Sequence, residues 1–157
     1  GIGLENIIAI VSSDVVLVAD KNKSDDLKDI TKLIGEKKFN EIDFLSKDFR
    51  PWGWYEIILN QKNFKVKKIF INSNSSISLQ SHKHRSEHWV VVEGQAKVTL
   101  NEKVINLKKG ESIFISKGSK HRLENVTKDK LQIIEVQIGK YLEEDDIIRY
   151  EDNYGRI

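Results

Sequence analysis

From Tyr55 to Ile138 the chain carries nine short runs rich in Val, Ile, Phe and Thr, at 55–59, 64–71, 77–84, 87–93, 96–100, 103–107, 112–115, 121–126 and 131–138. No helical pattern interrupts them, and turn residues such as Asn101-Glu102 and Lys109-Gly110 separate them. Short β-branched runs bounded by turn residues are the pattern of antiparallel strands. A set of this kind has to manage its open edges, and closure into a double-sheet jelly roll does so. The expected fold class is therefore all-β, a double-stranded jelly-roll barrel with a small α/β segment ahead of it.

Composition narrows the function. The chain has 157 residues, 39% of them hydrophobic, enough for a real core. Lys+Arg 26 against Asp+Glu 24 leaves a formal charge of +2, too balanced to argue for nucleic acid or a membrane surface. The lysines scattered among the strands are expected to form a solvated face. No apolar run approaches the roughly 20 residues of a membrane span, and Gly1–Ile10 lacks the basic start and long apolar region of a signal peptide. The absence of cysteine excludes disulfides and a thiolate metal site. These features predict a cytoplasmic protein. The chain contains no methionine, even at its first position, and is expected to be the back end of a longer polypeptide.

Chemistry concentrates in two stretches. Leu79–Gly94, LQSHKHRSEHWVVVEG, holds three of the four histidines; Gly110–Asn125, GESIFISKGSKHRLEN, holds the fourth, His121. In a strand, side chains two apart share a face, so His82 and His84 are expected to point the same way. A tight turn at Arg85-Ser86 would pair residues 84 and 87 across it, bringing Glu87 to the same point. His88 falls on the other face in this register, and a one-residue bulge would exchange it with Glu87. Imidazoles and a carboxylate suit a divalent first-row ion, and His121 is the natural fourth ligand. The predicted metal set is His82, His84, Glu87 and His121, with Zn, Co or Mn as the ion.

These stretches resemble the paired motifs of the cupin superfamily, G(x)5HxH(x)3-4E(x)6G and G(x)5PxG(x)2H(x)3N. The second fits through Gly110, Gly118, His121 and Asn125, with Ser116 at the proline position; the first fits through His82, His84, Glu87 and Gly94, with Ser76 at the leading glycine and only two residues before Glu87. A closer resemblance covers residues 50–156. RPWGWYE at 50–56, SLQSHKHRSEHWVVVEG at 78–94, GSKHRLEN at 118–125 and IIEVQIGKYLEEDDIIRYEDNYGR at 133–156 are similar to the carboxy-terminal domain of type II phosphomannose isomerases. In that family the domain usually follows a mannose-1-phosphate guanylyltransferase.

Residues 1–34 resemble the end of such a guanylyltransferase domain. Asn6–Ser12 and Val15–Ala19 read as strand, turn, strand, then Ser24 as a helix cap ahead of Leu27, Ile30, Leu33 and Ile34 at helical spacing. The glycine-rich nucleotide-binding motif of that family is missing from this chain, so it is not expected to make a sugar nucleotide. Residues 35–49 read as a polar linker pinned by Phe39, Phe44 and Leu45, and 50–157 as the barrel domain, with Pro51 and Gly53 marking the turn into it.

The resemblance implies interconversion of mannose 6-phosphate and fructose 6-phosphate. Moving a proton between C1 and C2 needs an electrophile for the developing oxyanion and a positioned base. His88, Glu124 and a metal-bound hydroxide are the candidates for that base, with Glu87 available only if it is not a ligand. Arg85, at the supposed hairpin tip, is expected to meet the phosphate and to act among the catalytic residues. Lys120 and Arg122 flank the second motif, and Gln80 shares the face of His82 as a ligand or sugar contact. The acidic run Glu143–Asp146 reads as a solvated loop; Arg149, Tyr154 and Arg156 are candidates to fold back toward the pocket, where an arginine grips phosphate in bidentate fashion. Cupin barrels pair through their edges, so a homodimer is expected by analogy, with a sugar phosphate as the small-molecule partner.

Overall fold

The structure is a computed structural model that describes residues 2–3, 5–11, 16–26 and 47–156. The chain divides into two compact units, Gly1–Ser46 and Lys47–Ile157. In the first, β1 (Ile7–Val11) pairs antiparallel with β2 (Val16–Asp20). The Lys21 amide donates to the Asn6 carbonyl at 2.8 Å and closes the hairpin. A 3-10 segment follows at Lys21–Asp26, and the α-helix expected after Ser24 lies outside the described residues. Leu27, Ile30, Leu33 and Ile34, and the linker residues Phe39, Phe44 and Leu45, lie outside the described residues.

Among the described residues the second unit holds twelve strands. They are β3 (Asp48–Arg50), β4 (Gly53–Asn60), β5 (Phe64–Ile71), β6 (Ser75–Ser76), β7 (Leu79–His82), β8 (Arg85–Glu93), β9 (Gln95–Leu100), β10 (Lys103–Lys108), β11 (Ser112–Ile115), β12 (His121–Asn125), β13 (Leu131–Gly139) and β14 (Ile147–Glu151). One sheet runs β10-β9-β12-β7-β14, with β6 on β12; the other runs β11-β8-β13-β5-β4-β3. Every pairing is antiparallel, and the chain crosses between the sheets repeatedly, giving the expected double-stranded jelly roll. Asp48 and Phe49, read as linker, belong to β3, because pairing with Trp54 and Tyr55 extends the sheet by one edge strand.

The interior has two halves, and alternation along three neighbouring strands creates both. Ile69 and Ile71 on β5, Trp89 and Val91 on β8, and Leu131 and Ile133 on β13 form the apolar half, packed against Ala96, Val98 and Leu123 of the other sheet. Burying side chains of this size contributes about 1.5–3 kcal/mol each. The same inward face continues as Lys65 and Lys67 on β5, Arg85 and Glu87 on β8, and Glu135 and Gln137 on β13, all buried. Cross-strand register aligns Lys67 with Glu135 and Gln137 with Glu87. The two buried lysines correct the expectation of a solvated lysine face: if Ile69 and Ile71 point inward, a period of two carries Lys65 and Lys67 inward as well.

Buried charge requires partners. Lys65 Nζ donates to the Leu142 carbonyl at 2.9 Å, and Lys67 is ion-paired with Glu144. Arg85 Nε donates to Glu87 at 3.0 Å, while Trp89 Nε1 donates to Glu87 at 3.1 Å and to Glu135 at 2.9 Å. Gln137 donates to Glu135 at 2.7 Å. The run Glu143–Asp146 is therefore not simply a solvated loop: Glu144 reaches Lys67, and Asp146 is only 6% exposed.

Gly94 turns the chain out of β8 with φ +81°, and a Cβ there would stand 2.1 Å from the Lys130 carbonyl oxygen. Both the left-handed backbone and the close approach exclude a side chain. Gly94→Ala is expected to cost at least about 1–3 kcal/mol in urea unfolding; a cost within measurement error would show that the turn relaxes freely.

Candidate metal centre

Three buried side chains converge inside the barrel: His82 from the end of β7, Glu87 from β8 and His121 from the start of β12, their ligand atoms all within 4.8 Å of one another. His82 Nε2 lies 3.0 Å from one oxygen of Glu87, and His121 Nε2 lies 3.6 Å from the other. The two imidazole centroids are 5.0 Å apart, and Trp89 packs edge-on to His121 at 5.4 Å.

The outward nitrogens orient both rings. His121 Nδ1 sits 2.9 Å from the Ser119 carbonyl, and His82 Nδ1 sits 3.4 Å from that of Asp146. This directs both Nε2 atoms toward Glu87, where His121 Nε2 is buried without a hydrogen-bond partner and His82 Nε2 has only the carboxylate oxygen at 3.0 Å beside it. Buried polar atoms seldom go unpaired. A cation between them would satisfy both, and backbone partners at the far ring nitrogen are the usual support for a metal-ligating histidine.

Protonation states agree. Burial alone would raise the Glu87 pKa, but His82, His121 and Arg85 outweigh it and hold the carboxyl well below its usual 4.5. Burial lowers the His121 pKa. An ionised carboxylate and a neutral imidazole are the forms that bind metal. Burial and the charge of Glu87 push the neighbouring Glu135 carboxyl up to about 8.

His84 is not in the cluster. Strand β7 ends at His82, and the turn comes at Lys83-His84 instead of Arg85-Ser86, because the Asp146 carboxylate accepts both the Lys83 and the His84 amides at 3.1 Å. His84 is left exposed, edge-on to the Tyr141 ring. The face of His82 is shared instead with Gln80, which is 9% exposed and pairs across the sheet with His121. Registering the first motif on Gln80-Ser81-His82 restores the gap before Glu87, with Gln80 standing at the first histidine. Four residues then precede Glu87, and the leading glycine falls on Asn74, whose φ is +52°, the left-handed conformation a glycine would adopt.

The other candidates divide by strand face. His88 points outward, with Nε2 3.2 Å from the Ser112 hydroxyl. On β12, inward His121, Leu123 and Asn125 alternate with outward Arg122, paired to Glu151 at 2.9 Å, and Glu124, paired to Lys97 at 3.1 Å. Lys120 is exposed, its ammonium over the Tyr150 ring at 4.3 Å. His88, Glu124, Lys120 and Arg122 are thus away from the cluster. Arg85, Gln80 and Arg149 do face inward, with Glu87, around an open pocket. Arg156 also lines it, held by Asp152, and Tyr154 packs against the core. Lys67, Glu135 and Gln137 line the same pocket and went unnoticed in the sequence, where the alternation of β5 and β13 was the available signal.

Residues 37–152 match the family described as mannose-6-phosphate isomerase C-terminal. The chain belongs to that family. Members of similar sequence include the xanthan biosynthesis protein XanB of Xanthomonas campestris pv. campestris, 43% identical over 99% of this chain and 33% of its own length. The alginate biosynthesis protein AlgA of Pseudomonas putida is 44% identical over 99% of this chain and 32% of its own. The mannose-1-phosphate guanylyltransferase ManC of Salmonella typhimurium is 41% identical over 99% and 32%. The chain thus spans about a third of the length of these relatives. In fold, the barrel is similar to a double-stranded β-helix protein of Klebsiella pneumoniae, with TM-score 0.59, 17% identity and coverage of 71% of this chain and 95% of that one. It is likewise similar to the oxalate decarboxylase of Bacillus subtilis, with TM-score 0.60, 13% identity and coverage of 66% and 29%. Among the described residues no helix is long and apolar enough to cross a membrane.

Proposed function

We propose that this chain is a metal-dependent aldose–ketose isomerase interconverting mannose 6-phosphate and fructose 6-phosphate. The carrying observation is the buried His82–Glu87–His121 triangle with both Nε2 atoms turned toward the carboxylate, beside a pocket lined by arginines. Zn, Co or Mn would be held by these three residues with Gln80, and such an ion polarises a substrate carbonyl or hydroxyl. The protein supplies the rest. Arg85 neutralises Glu87, the surrounding apolar half keeps water out, and Glu135 retains a proton near neutral pH at the pocket wall, where it serves as general acid and base. In longer relatives such an isomerase would feed mannose phosphate into polysaccharide synthesis. A homodimer belongs to the same proposal and is checked by sedimentation velocity.

The test is metal content of the purified chain together with isomerase turnover before and after chelation. Activity that a chelator abolishes and Zn, Co or Mn restores supports the reading. The name of ManC specifies nucleotidyl transfer alone, which favours a second reading, a sugar-phosphate-binding module without catalysis. Bound metal with no turnover would select it.

Gln80 and His84 provide an internal comparison. Gln80→Ala is expected to weaken binding of Zn or Mn in calorimetric titration by roughly 10- to 100-fold. His84→Ala should leave it unchanged. The opposite order would restore the register centred on His84.

A further inference from the structure

The cations lining the pocket are not equivalent. Arg50 is paired with Asp48 at 2.5 Å, Lys67 with Glu144, Arg85 with Glu87 at 3.0 Å and Arg156 with Asp152 at 3.0 Å. Arg149 has no carboxylate partner among the described residues, and its Nε is buried without a hydrogen bond. Its position is set by register: Gln80 on β7 pairs with Arg149 on β14 on one side and with His121 on β12 on the other. With strands roughly 4.8 Å apart, the backbones of Arg149 and His121 stand about 10 Å from each other across Gln80. One row across the sheet therefore runs from a free guanidinium, through an amide, to the histidine–carboxylate cluster.

A free guanidinium at a pocket wall calls for a planar or tetrahedral oxyanion, which it binds with two parallel hydrogen bonds. Lys67 and Arg156 line the same pocket but are paired with Glu144 and Asp152, which leaves Arg149 as its uncompensated cation among the described residues. We propose that Arg149 is the phosphate anchor of this pocket, taking a phosphomonoester whose other, hydroxylated end reaches Gln80 and Glu87. The choice of a hexose as that end rests on the isomerase reading; the anchor itself does not.

The experiment titrates inorganic phosphate, acetate, mannose and mannose 6-phosphate into the chain calorimetrically, using wild type, Arg149→Ala, Arg149→Lys and the outward-facing control Lys97→Ala, with melting curves to confirm folding. Arg149→Ala is expected to weaken phosphate and mannose 6-phosphate by roughly 10- to 100-fold, the range for hydrogen bonds to a charged group. Arg149→Lys should recover part of this, and it carries the test if the alanine variant does not fold. Lys97→Ala should change nothing, and mannose should show no dependence on Arg149. In turnover, the effect should fall on KM with kcat nearly unchanged. Phosphate binding that is absent in wild type, indifferent to Arg149, or matched by acetate would overturn the anchor. Phosphate bound through Arg149 without isomerisation would uphold the anchor and refute the isomerase. Isomerisation with an unchanged KM in Arg149→Ala would do the reverse.

Discussion

His121→Ala is expected to strip metal from the protein and abolish turnover together, and His82→Ala to do the same. Each removes one of only two imidazoles in a cluster whose ligand atoms lie within 4.8 Å of one another. The loss in metal affinity should be about 100-fold or more, at or beyond the upper end of what supporting groups around a metal cost. The alanine variants are also informative without metal. Each also deletes an Nδ1 contact to a backbone carbonyl and an imidazole beside the buried Glu87 carboxylate, so the metal-free fold should lose stability as well. Metal analysis of the purified variants, with urea unfolding in the presence and absence of chelator, separates the two effects. Metal retained at wild-type level in either variant would sink the assignment.

Arg85→Ala carries the second large effect, on stability. The guanidinium is 2% exposed and bridges Glu87, at 3.0 Å, and the Glu143 carbonyl, at 3.0 Å. Without it, Glu87 and Glu135 remain buried with less counter-charge. Removing one member of a buried pair costs about 3–5 kcal/mol, a large share of the 5–15 kcal/mol that holds a typical domain together. That loss is expected in urea unfolding of the metal-free protein near neutral pH.

The pH dependence has a definite sign. Glu87 has a folded pKa well below 4.5, so its stabilising contribution is present above the unfolded value and lost as pH falls through the lower, folded one. Glu135 behaves in the opposite way: with its pKa raised to about 8, stability declines as pH rises from about 4.5 toward 8. Arg85 lowers the proton affinity of both carboxyls. Its removal lets both bind protons more tightly, so the deficit should be greatest near and above neutrality and shrink in mild acid. Each tenfold change in proton affinity is worth about 1.4 kcal/mol. A deficit that stays constant across this range would show that Arg85 acts by packing alone.

Local pattern accounts for much of what was readable. The strands at 64–71 and 112–115 have the expected limits, since alternation and turn residues are properties of a few neighbours in sequence. The second motif placed His121 at the mouth of β12, and spacing brought Glu87 and His82 to the same point. The N-terminal hairpin was equally visible in its β-branched runs.

The remainder depended on partners distant in sequence. Whether alternation continues through Lys83 to His84 is decided by Asp146, whose carboxylate seizes both amides and ends the strand at His82. That contact takes His84 out of the cluster, and no local signal encodes it. Strand β14 and the inward turn of Arg149 follow from pairing with β7, an energy realised only when the sheet assembles. The buried Lys67 and Glu135 are tolerated because each meets an opposite charge or donor from another strand or from the segment before β14, and Arg85 because it joins Glu87 of its own strand to the Glu143 carbonyl. Alternation, turns and motif spacing are short-range and were written along the chain. Inwardness, strand ends and the pairing of buried charges are long-range, and the folded barrel alone set them.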